Sequence, residues 1–348
     1  MIIEASRYLI MISYTSPHIP WLQKSHSPYV TLVALFMVLQ TFVVPQTMAQ
    51  APTRATTPGI VIGGNVYGGG NEGDVSGSTT VTVKACEIDG NVFGGARMAD
   101  VGGRAFVHID GANTTGGEIA IKAVYGGNDI AGTVGKNVNP AATTTTALPA
   151  QLTEVGTVEG KNDINDSWVA FVRTSKMATE DINHRIIVGT IFGGGNGDYH
   201  YFEPGDVTGK DGEGHDITAT QYEIRDKATG ALIAQSATSF TKPTLTKTYL
   251  ELLGGCLAHV YGGGNNVTVT NNTTLCINNT SLGLIHVLDT SNPAAEFAQM
   301  AKFVELSTFQ GDYTSFDYTF ARIFGGNNKA EMSIMPVWNI QRGRIRDL

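Results

Sequence analysis

The hexapeptide Val66-Tyr67-Gly68-Gly69-Gly70-Asn71 decides the fold, because five further versions of it recur along the chain. Every copy has a β-branched aliphatic residue, an aromatic residue and two glycines in that order. The other copies are Val92-Phe93-Gly94-Gly95-Ala96-Arg97, Val124-Tyr125-Gly126-Gly127-Asn128-Asp129, Ile191-Phe192-Gly193-Gly194-Gly195-Asn196, Val260-Tyr261-Gly262-Gly263-Gly264-Asn265 and Ile323-Phe324-Gly325-Gly326-Asn327-Asn328. Self-similarity of this kind is typical of repeat architectures.

Counting from the aromatic residue reveals a longer register that four copies share. The residue eight positions on is apolar, and those fourteen and sixteen positions on form a pair whose two-residue period predicts a half-buried strand. These positions are Val75, Val101, Val269 and Met332, then Val81 and Val83, Val107 and Ile109, Leu275 and Ile277, and Trp338 and Ile340. An Asp-Val/Ile-x-Gly element also recurs, as Asp74–Gly77, Asp100–Gly103, Asp129–Gly132 and Asp206–Gly209. Copies three and four are therefore interpreted as the same unit with altered loops.

These residue types predict an all-β fold. Valine, isoleucine and aromatic residues favour strands, and the glycine pair permits positive φ or close backbone approach where the chain turns. Asparagine tolerates left-handed geometry and can form a side-chain ladder between stacked neighbours. Because one short unit cannot bury its apolar face alone, we expect a parallel β-solenoid in the form of a right-handed β-helix. The alternative is a twisted antiparallel sandwich of short strands.

The spacing of the copies predicts insertions. Successive aromatic residues are 26, 32, 67, 69 and 63 residues apart, so the longer intervals need either a second, degenerate coil or an inserted segment. Three candidates for insertion are a Thr/Ala-rich loop at Pro140–Pro149, a hairpin at Tyr222–Ala237 and a short helix at Asn292–Ser307. We expect the loops Pro140–Gly160, Lys210–Thr248 and Asp289–Thr319 to project from the scaffold and to carry binding residues.

The N-terminal 49 residues are predicted to be a secretory signal peptide. Tyr29–Val44 contains sixteen residues without a charge, fewer than the roughly 20 that cross a bilayer as a helix. Cleavage after Ala49 would begin the mature chain at Gln50, and Ala49 with Ala51 forms an alternative cleavage pair. The predicted organisation is a signal peptide over 1–49, a linker over 50–59 and a glycine-rich repeat region over 60–348, with no transmembrane segment in the mature chain.

The mature chain keeps three cysteines, Cys86, Cys256 and Cys276. Their number is odd and no pair has a CxxC spacing, so neither a zinc site nor a disulfide framework is predicted. No cysteine lies near the end of the signal, which argues against a lipoprotein anchor.

The hexapeptides, the Asp-Val-x-Gly elements and the alternating Thr/Val strands, behind a signal that ends Met48-Ala49-Gln50, resemble glycine-rich repeat proteins that Bacteroides-type and Prevotella-type bacteria secrete or display. The resemblance covers Ile60–Leu348. It implies a secreted, cell-surface or outer-membrane location, adhesion or structural display, and a host or microbial glycan or surface protein as partner. It implies no catalytic residues. We also expect the gene to continue past Leu348, because terminal repeats need a polar cap.

Several other kinds of chemistry are disfavoured. The net charge is 23 − 31 = −8, which argues against a nucleic-acid partner. Gly68-x-Gly70-x-x-Gly73 matches the dinucleotide fingerprint, but strand-like residues follow where a helix is required. The spacing in Gly69–Asp74 departs from that of a calcium-binding β-roll. No cofactor, metal or catalytic residue is predicted.

The alternative function is a carbohydrate-active β-helix, either a polysaccharide lyase or a hydrolase, with Asp74 and Asp100 as a carboxylate pair about 5 Å apart. Because their element recurs at Asp129 and Asp206, a scaffold role is the simpler interpretation. His108 alternates with Val107 and Ile109 and is expected to face outward. The predicted site is therefore structural and consists of the repeat corners Tyr67, Gly68, Gly69, Phe93, Gly94, Gly95, Tyr125, Gly126, Gly127, Phe192, Gly193, Gly194, Tyr261, Gly262, Gly263, Phe324, Gly325 and Gly326.

Overall fold

The computed structural model describes residues 60–111, 119–142, 168–175, 186–282, 284–286, 317–319, 322–332 and 336–345. Within these ranges the chain forms strands and turns, with no helix. The signal peptide, the helix at Asn292–Ser307 and most of the loop at Pro140–Pro149 lie outside the described residues.

The strands are β1 (Ile60–Ile62), β2 (Val66–Tyr67), β3 (Thr79–Val83), β4 (Cys86–Phe93), β5 (Ala105–Ile109), β6 (Ile119–Tyr125), β7 (Thr133–Val134), β8 (Ala170–Thr174), β9 (Ile186–Phe192), β10 (His200–Phe202), β11 (Val207–Lys210), β12 (Asp216–Thr218), β13 (Tyr222–Arg225), β14 (Leu232–Ser236), β15 (Thr244–Leu245), β16 (Thr248–Leu252), β17 (Cys256–Tyr261), β18 (Thr268–Val269), β19 (Thr273–Leu282), β20 (Leu284–His286), β21 (Asp317–Thr319), β22 (Arg322–Phe324) and β23 (Val337–Ile345). We number the repeat units 1 to 6 after the six hexapeptides.

Most of these strands lie in three ladders, in which each strand pairs parallel with the equivalent strand of the next repeat unit. Ladder A carries the hexapeptides and pairs β1 and β2 with β4, then β6, β9, β17 and β22 in turn. Ladder B pairs β3, β5, β8, β16, β19 and β23 in the same unit order. Ladder C is narrower and aligns Val75, Val101, Val134, Leu245 and Val269. The chain is therefore all-β with parallel pairing between repeat units.

The apolar core lies between ladders A and B. Val92, Val124 and Ile191 of ladder A meet Val107 and Val172 of ladder B in one fully buried cluster. The predicted pairs Val81 and Val83, Val107 and Ile109, and Leu275 and Ile277 lie in this cluster, which confirms that they face the core. The predicted half-burial holds for β3, whose residues alternate between buried and exposed, but is wrong for β5, which is buried on both faces. Ile340 of the fourth predicted pair is 45% exposed. β19 joins the two ladders, because Leu275 pairs with Leu250 of ladder B and Ser281 pairs with Cys256 of ladder A.

Inserted segments, rather than degenerate coils, explain the long intervals of units 3 and 4. β7 pairs directly with β15, and β8 pairs with both β5 and β16, so the ladders continue in register across both units. In unit 4, residues 197–243 separate the hexapeptide from β15. The hairpin predicted at Tyr222–Ala237 is confirmed as the antiparallel pair β13 and β14, which β10 extends to three strands. We call residues 197–243 the unit 4 insertion.

Two members of the predicted Asp-Val/Ile-x-Gly series are not equivalent to the others. Asp74 and Asp100 stand seven residues after their aromatic residues, immediately before the bridged pair Val75 and Val101. Asp129 stands only four residues after Tyr125. The predicted equivalence of Asp206–Gly209 is also wrong, because Val207 begins β11, which pairs antiparallel with β12 inside the insertion. Leu245 takes the ladder C position in unit 4.

The first glycine of each corner lies where two backbones approach closely. A Cβ added at Gly68, Gly94, Gly126, Gly193 or Gly262 would lie 2.1–2.6 Å from the carbonyl oxygen of the equivalent glycine in the next unit. Real Cβ atoms do not approach a backbone oxygen this closely, and none of these glycines is among those with positive φ. Close approach, rather than left-handed geometry, is therefore the requirement for glycine here.

We predict that Gly126→Ala lowers the free energy of unfolding by about 3 kcal/mol, since its Cβ would lie 2.1 Å from the Gly193 oxygen. Gly73→Ala is the control, because no atom lies within 4 Å of a Cβ at that position, and we expect a change within about 0.5 kcal/mol. Urea unfolding followed by circular dichroism measures both. Equal losses for the two variants would contradict the close-approach account.

Candidate functional site

The predicted corner residues form adjacent columns. Each first glycine donates its N–H to the carbonyl of the aromatic residue in the next unit, from Gly68 to Phe93 at 2.9 Å through Gly262 to Phe324 at 2.7 Å. Each second glycine donates to its counterpart in the next unit, such as Gly69 to Gly95 at 2.9 Å and Gly194 to Gly263 at 2.9 Å. All six corners are therefore brought together along one edge of ladder A.

The aromatic residues of the corners form one continuous stack, which the sequence analysis missed. Neighbouring ring centroids are 4.7–5.2 Å apart and the rings are within 16° of parallel. The spacing matches that of paired strands, so a ring at one register position of every unit must lie on the ring of the next. The signal was available in the sequence, because every copy has an aromatic residue at the same position.

A second column contains the polar residue that ends each hexapeptide. Asn328 donates to Asn265, Asn265 donates to Asn196, and Asn196 donates to Asp129, each at 2.9 Å. At the other end, Arg97 donates to Asn71 at 3.0 Å. The predicted asparagine ladder is thus confirmed for units 4 to 6. Arg97 and Asp129, in adjacent units 2 and 3, are the two charged members of the column.

Asp129 lies where this column meets the unit 4 insertion, and its side chain is buried, with 1% of the residue exposed. It accepts hydrogen bonds from the Tyr67 and Tyr199 hydroxyls, both at 2.8 Å, and from the Asn196 amide. Burial raises the pKa of Asp129, although the three donors and the Arg97 charge oppose the shift. Burial and the nearby Asp129 charge raise the pKa of Tyr67 and Tyr199, so both phenols remain donors.

The unit 4 insertion packs its three-stranded sheet onto units 2 and 3. Ile224 of β13 is buried against Ile130 and Ala131, with Met98 and Tyr201 at the margin of the cluster. The Tyr201 hydroxyl donates to the Ile130 carbonyl at 2.5 Å. Apolar burial and hydrogen bonds therefore fix the orientation of this sheet on the repeat units.

The second hairpin of the insertion, β11 with β12, is exposed on both faces. Val207 is 51% exposed and Ile217 is 46% exposed, although both are β-branched aliphatic residues. Its turn is ordered by Asp211, which accepts from the N–H groups of Glu213 and His215, and Lys210 pairs with Asp216 at 2.7 Å. This hairpin therefore exposes apolar side chains to solvent, while the other sheet of the same insertion packs on units 2 and 3.

Asp74 and Asp100 are adjacent, as expected, but their oxygens bind the scaffold. Asp74 accepts from the Asp100 N–H at 2.9 Å, and Asp100 accepts from the Thr133 N–H at 2.8 Å and pairs with Lys136. Although partial burial opposes the shift, the hydrogen bonds from Lys136 and Thr133 lower the pKa of Asp100. The Asp100 carboxylate thus links units 2 and 3, the Asp74 carboxylate links units 1 and 2, and an ionised carboxylate held in this way is poorly suited to donate a proton.

His108 is not exposed, contrary to the expectation for an outward-facing residue. The outer face of ladder B is buried in units 2 to 4, where Phe106, Phe171 and Tyr249 pack with Trp168, which precedes β8, in a second buried cluster. In register with His108 lie Arg173, Glu251 and Cys276 on the next three units. Arg173 and Glu251 form an ion pair at 2.5 Å that is almost fully buried.

No family model, no curated protein and no solved structure matches this chain. Among the described residues, no helix has the length and apolar character to span a membrane. The same part of the chain contains no cluster of three or more His, Cys, Asp or Glu side chains arranged to hold a metal ion.

We predict that Asp129→Asn becomes more stable relative to the unsubstituted protein as the pH rises. The raised pKa means that folded Asp129 holds its proton more tightly than unfolded Asp129. The stabilisation that the protonated Asp129 side chain provides is therefore complete below the pKa of Asp129 in the unfolded chain, about 3.9. It is lost as the pH rises through the pKa of Asp129 in the folded protein. Urea midpoints measured at pH 4 and pH 7 for both proteins test this difference.

Asp100→Asn is the matched control, for which we expect the opposite dependence of stability on pH. Because the folded pKa of Asp100 is lowered, its contribution is present above the unfolded pKa and is lost as the pH falls. Asp100→Asn should therefore lose stability relative to the unsubstituted protein at pH 7 and approach it in acid. The same trend for both variants would contradict the assignment.

Proposed function

We propose that ladders A, B and C are the three faces of a parallel β-solenoid, with one coil for each repeat unit. Each unit with a described strand in all three ladders enters them in the order A, C, B, and each ladder pairs a unit with its neighbours in the chain. This connection pattern supports a coil rather than a sandwich, whose pairing is antiparallel. The right-handed form follows the general preference of parallel crossover connections.

We propose further that the protein is a non-enzymatic, secreted or cell-surface protein that presents loops from this scaffold to a host or microbial ligand. The observation that carries the proposal is the unit 4 insertion, which places an exposed hairpin outside the ladders without breaking their register. Binding residues concentrate on loops that a rigid scaffold positions. The predicted signal peptide and the resemblance to secreted repeat proteins support the location.

A carbohydrate-active enzyme remains the second candidate, and one observation favours it. Glu251, Arg173 and His108 form a column outside the hexapeptide positions, where an acid, a base and a cation share one ladder. The burial of this column and the ion pair within it favour a structural role instead.

A binding panel tests the display proposal. Immobilised Gln50–Leu348, which contains every described residue, is incubated with host and bacterial glycans and surface proteins, and retention is measured together with new reducing or unsaturated ends. We predict retention of at least one ligand without cleavage. The double variant Val207→Ser, Ile217→Ser should weaken retention about tenfold, because it removes the exposed apolar side chains of the hairpin.

Leu232→Ser is the control, since Leu232 is 46% exposed on the other sheet of the same insertion and should leave retention unchanged. Retention of no ligand, or an equal loss in both variants, would contradict display by this hairpin. Cleavage that Glu251→Gln abolishes, in a variant that keeps the circular dichroism spectrum of the unsubstituted protein, would establish the enzymatic alternative.

A further inference from the structure

The unit 4 insertion connects repeat units that are not neighbours. In a stack of repeats each unit contacts only the next, so stability is a sum of nearest-neighbour terms and the ends fray first. We propose that the unit 4 insertion is a strap that makes units 1 to 6 open as one cooperative block. The proposal rests on contacts at both ends of the stack and is independent of any ligand.

Unit 1 is attached through Asp129. The Tyr67 hydroxyl of unit 1 reaches past unit 2 to Asp129 of unit 3 at 2.8 Å. The other carboxylate oxygen of Asp129 accepts from the Tyr199 hydroxyl of the insertion, also at 2.8 Å. One buried carboxylate therefore joins unit 1, unit 3 and the insertion, and its burial makes each of these charge-assisted bonds costly to break.

Unit 6 is attached through Asp198. This insertion residue pairs with Lys227 of the insertion at 2.5 Å and with Lys329, which follows the sixth hexapeptide. Unit 5 is attached beside it, because the Asn266 amide donates to the Gly197 carbonyl at 3.1 Å. The acceptors of Lys329 and Asn266 both belong to the unit 4 insertion. Units 5 and 6 are therefore both bound to this insertion.

The middle of the strap is apolar. Ile224 and Tyr201 of the insertion pack on Ile130 of unit 3 and extend to Met98 of unit 2. Because this contact is buried, the insertion cannot swing away from units 2 and 3 without exposing it to water. The attachments to unit 1 and to unit 6 share one short segment, since residues 198 and 199 are adjacent in sequence. Local unfolding at either end of the stack therefore breaks a contact made by one of these two adjacent residues, Asp198 or Tyr199, or by Asp129, which Tyr199 contacts.

Hydrogen exchange of Gln50–Leu348, resolved by peptide, tests the strap. We predict that peptides from units 1, 3 and 6 exchange at rates within about tenfold of one another, as expected for one cooperative unit. In the double variant Tyr67→Phe, Lys329→Met, exchange in units 1 and 6 should rise about tenfold or more, and exchange in unit 3, which keeps two of the three donors to Asp129, should rise less. The Tyr67→Phe substitution keeps the ring stack and removes only the hydroxyl.

The control is Lys210→Met, which removes an exposed ion pair inside the β11–β12 hairpin and touches no repeat unit. It should leave all three rates unchanged. A graded increase in exchange toward the ends of the unsubstituted protein would overturn the proposal without any variant. Equal rates in the double variant and the unsubstituted protein would also overturn it.

Discussion

The rest of the structure depends on the close approach of successive backbones at the glycine corners. There the carbonyl oxygen of one unit occupies the space that a Cβ of the previous unit would need, at 2.1–2.6 Å. The corner lets each chain segment turn while it donates two N–H groups to the next unit. Threonine completes the contact, because Thr79, Thr248 and Thr273 each donate to a corner glycine carbonyl of the next unit at 2.6 Å.

Once the corners coincide, the neighbouring columns follow from the sequence spacing. The aromatic residue before the glycines must stack on its counterpart, and in units 4 to 6 the asparagine that ends the hexapeptide meets the asparagine of the next unit. Asn128 and Asn327 replace the third glycine in two units, and each accepts a backbone N–H of the previous unit at 2.7 Å. A single register therefore satisfies apolar, aromatic and polar columns together, which is the consistency expected of a specific fold.

The sequence predicted what is local and repeated. The strands around Val81, Val107 and Leu275, the asparagine ladder and the β13–β14 hairpin follow from short patterns that the chain displays directly. Asp206 was misassigned because a four-residue element carries too little information to separate a ladder position from a turn in an insertion. The ion pair of Arg173 and Glu251 joins residues 78 positions apart. They occupy equivalent ladder B positions, but segments of different length separate them from their hexapeptides, so counting from the aromatic residue does not align them. The junction at Asp129 was missed because its donors lie 62 to 70 residues away in the sequence and one of them belongs to the insertion.

The repeat units and the unit 4 insertion have different roles in the proposed function. The repeats supply a register that tolerates a long insertion. The unit 4 insertion supplies both exposed side chains and contacts to units 2, 3, 5 and 6 and, through Asp129, to unit 1.

Units 3 and 4 stay in register although residues 135–169 separate β7 from β8, and Ala123 of β6 pairs with Thr190 of β9. Cysteines placed at these two positions should form a disulfide under mild oxidation, because paired Cα atoms lie about 5 Å apart. Cysteines at Ala123 and Ile191 should not, since adjacent residues of a strand face opposite sides. Equal cross-linking of both pairs, or none in the first, would contradict the account.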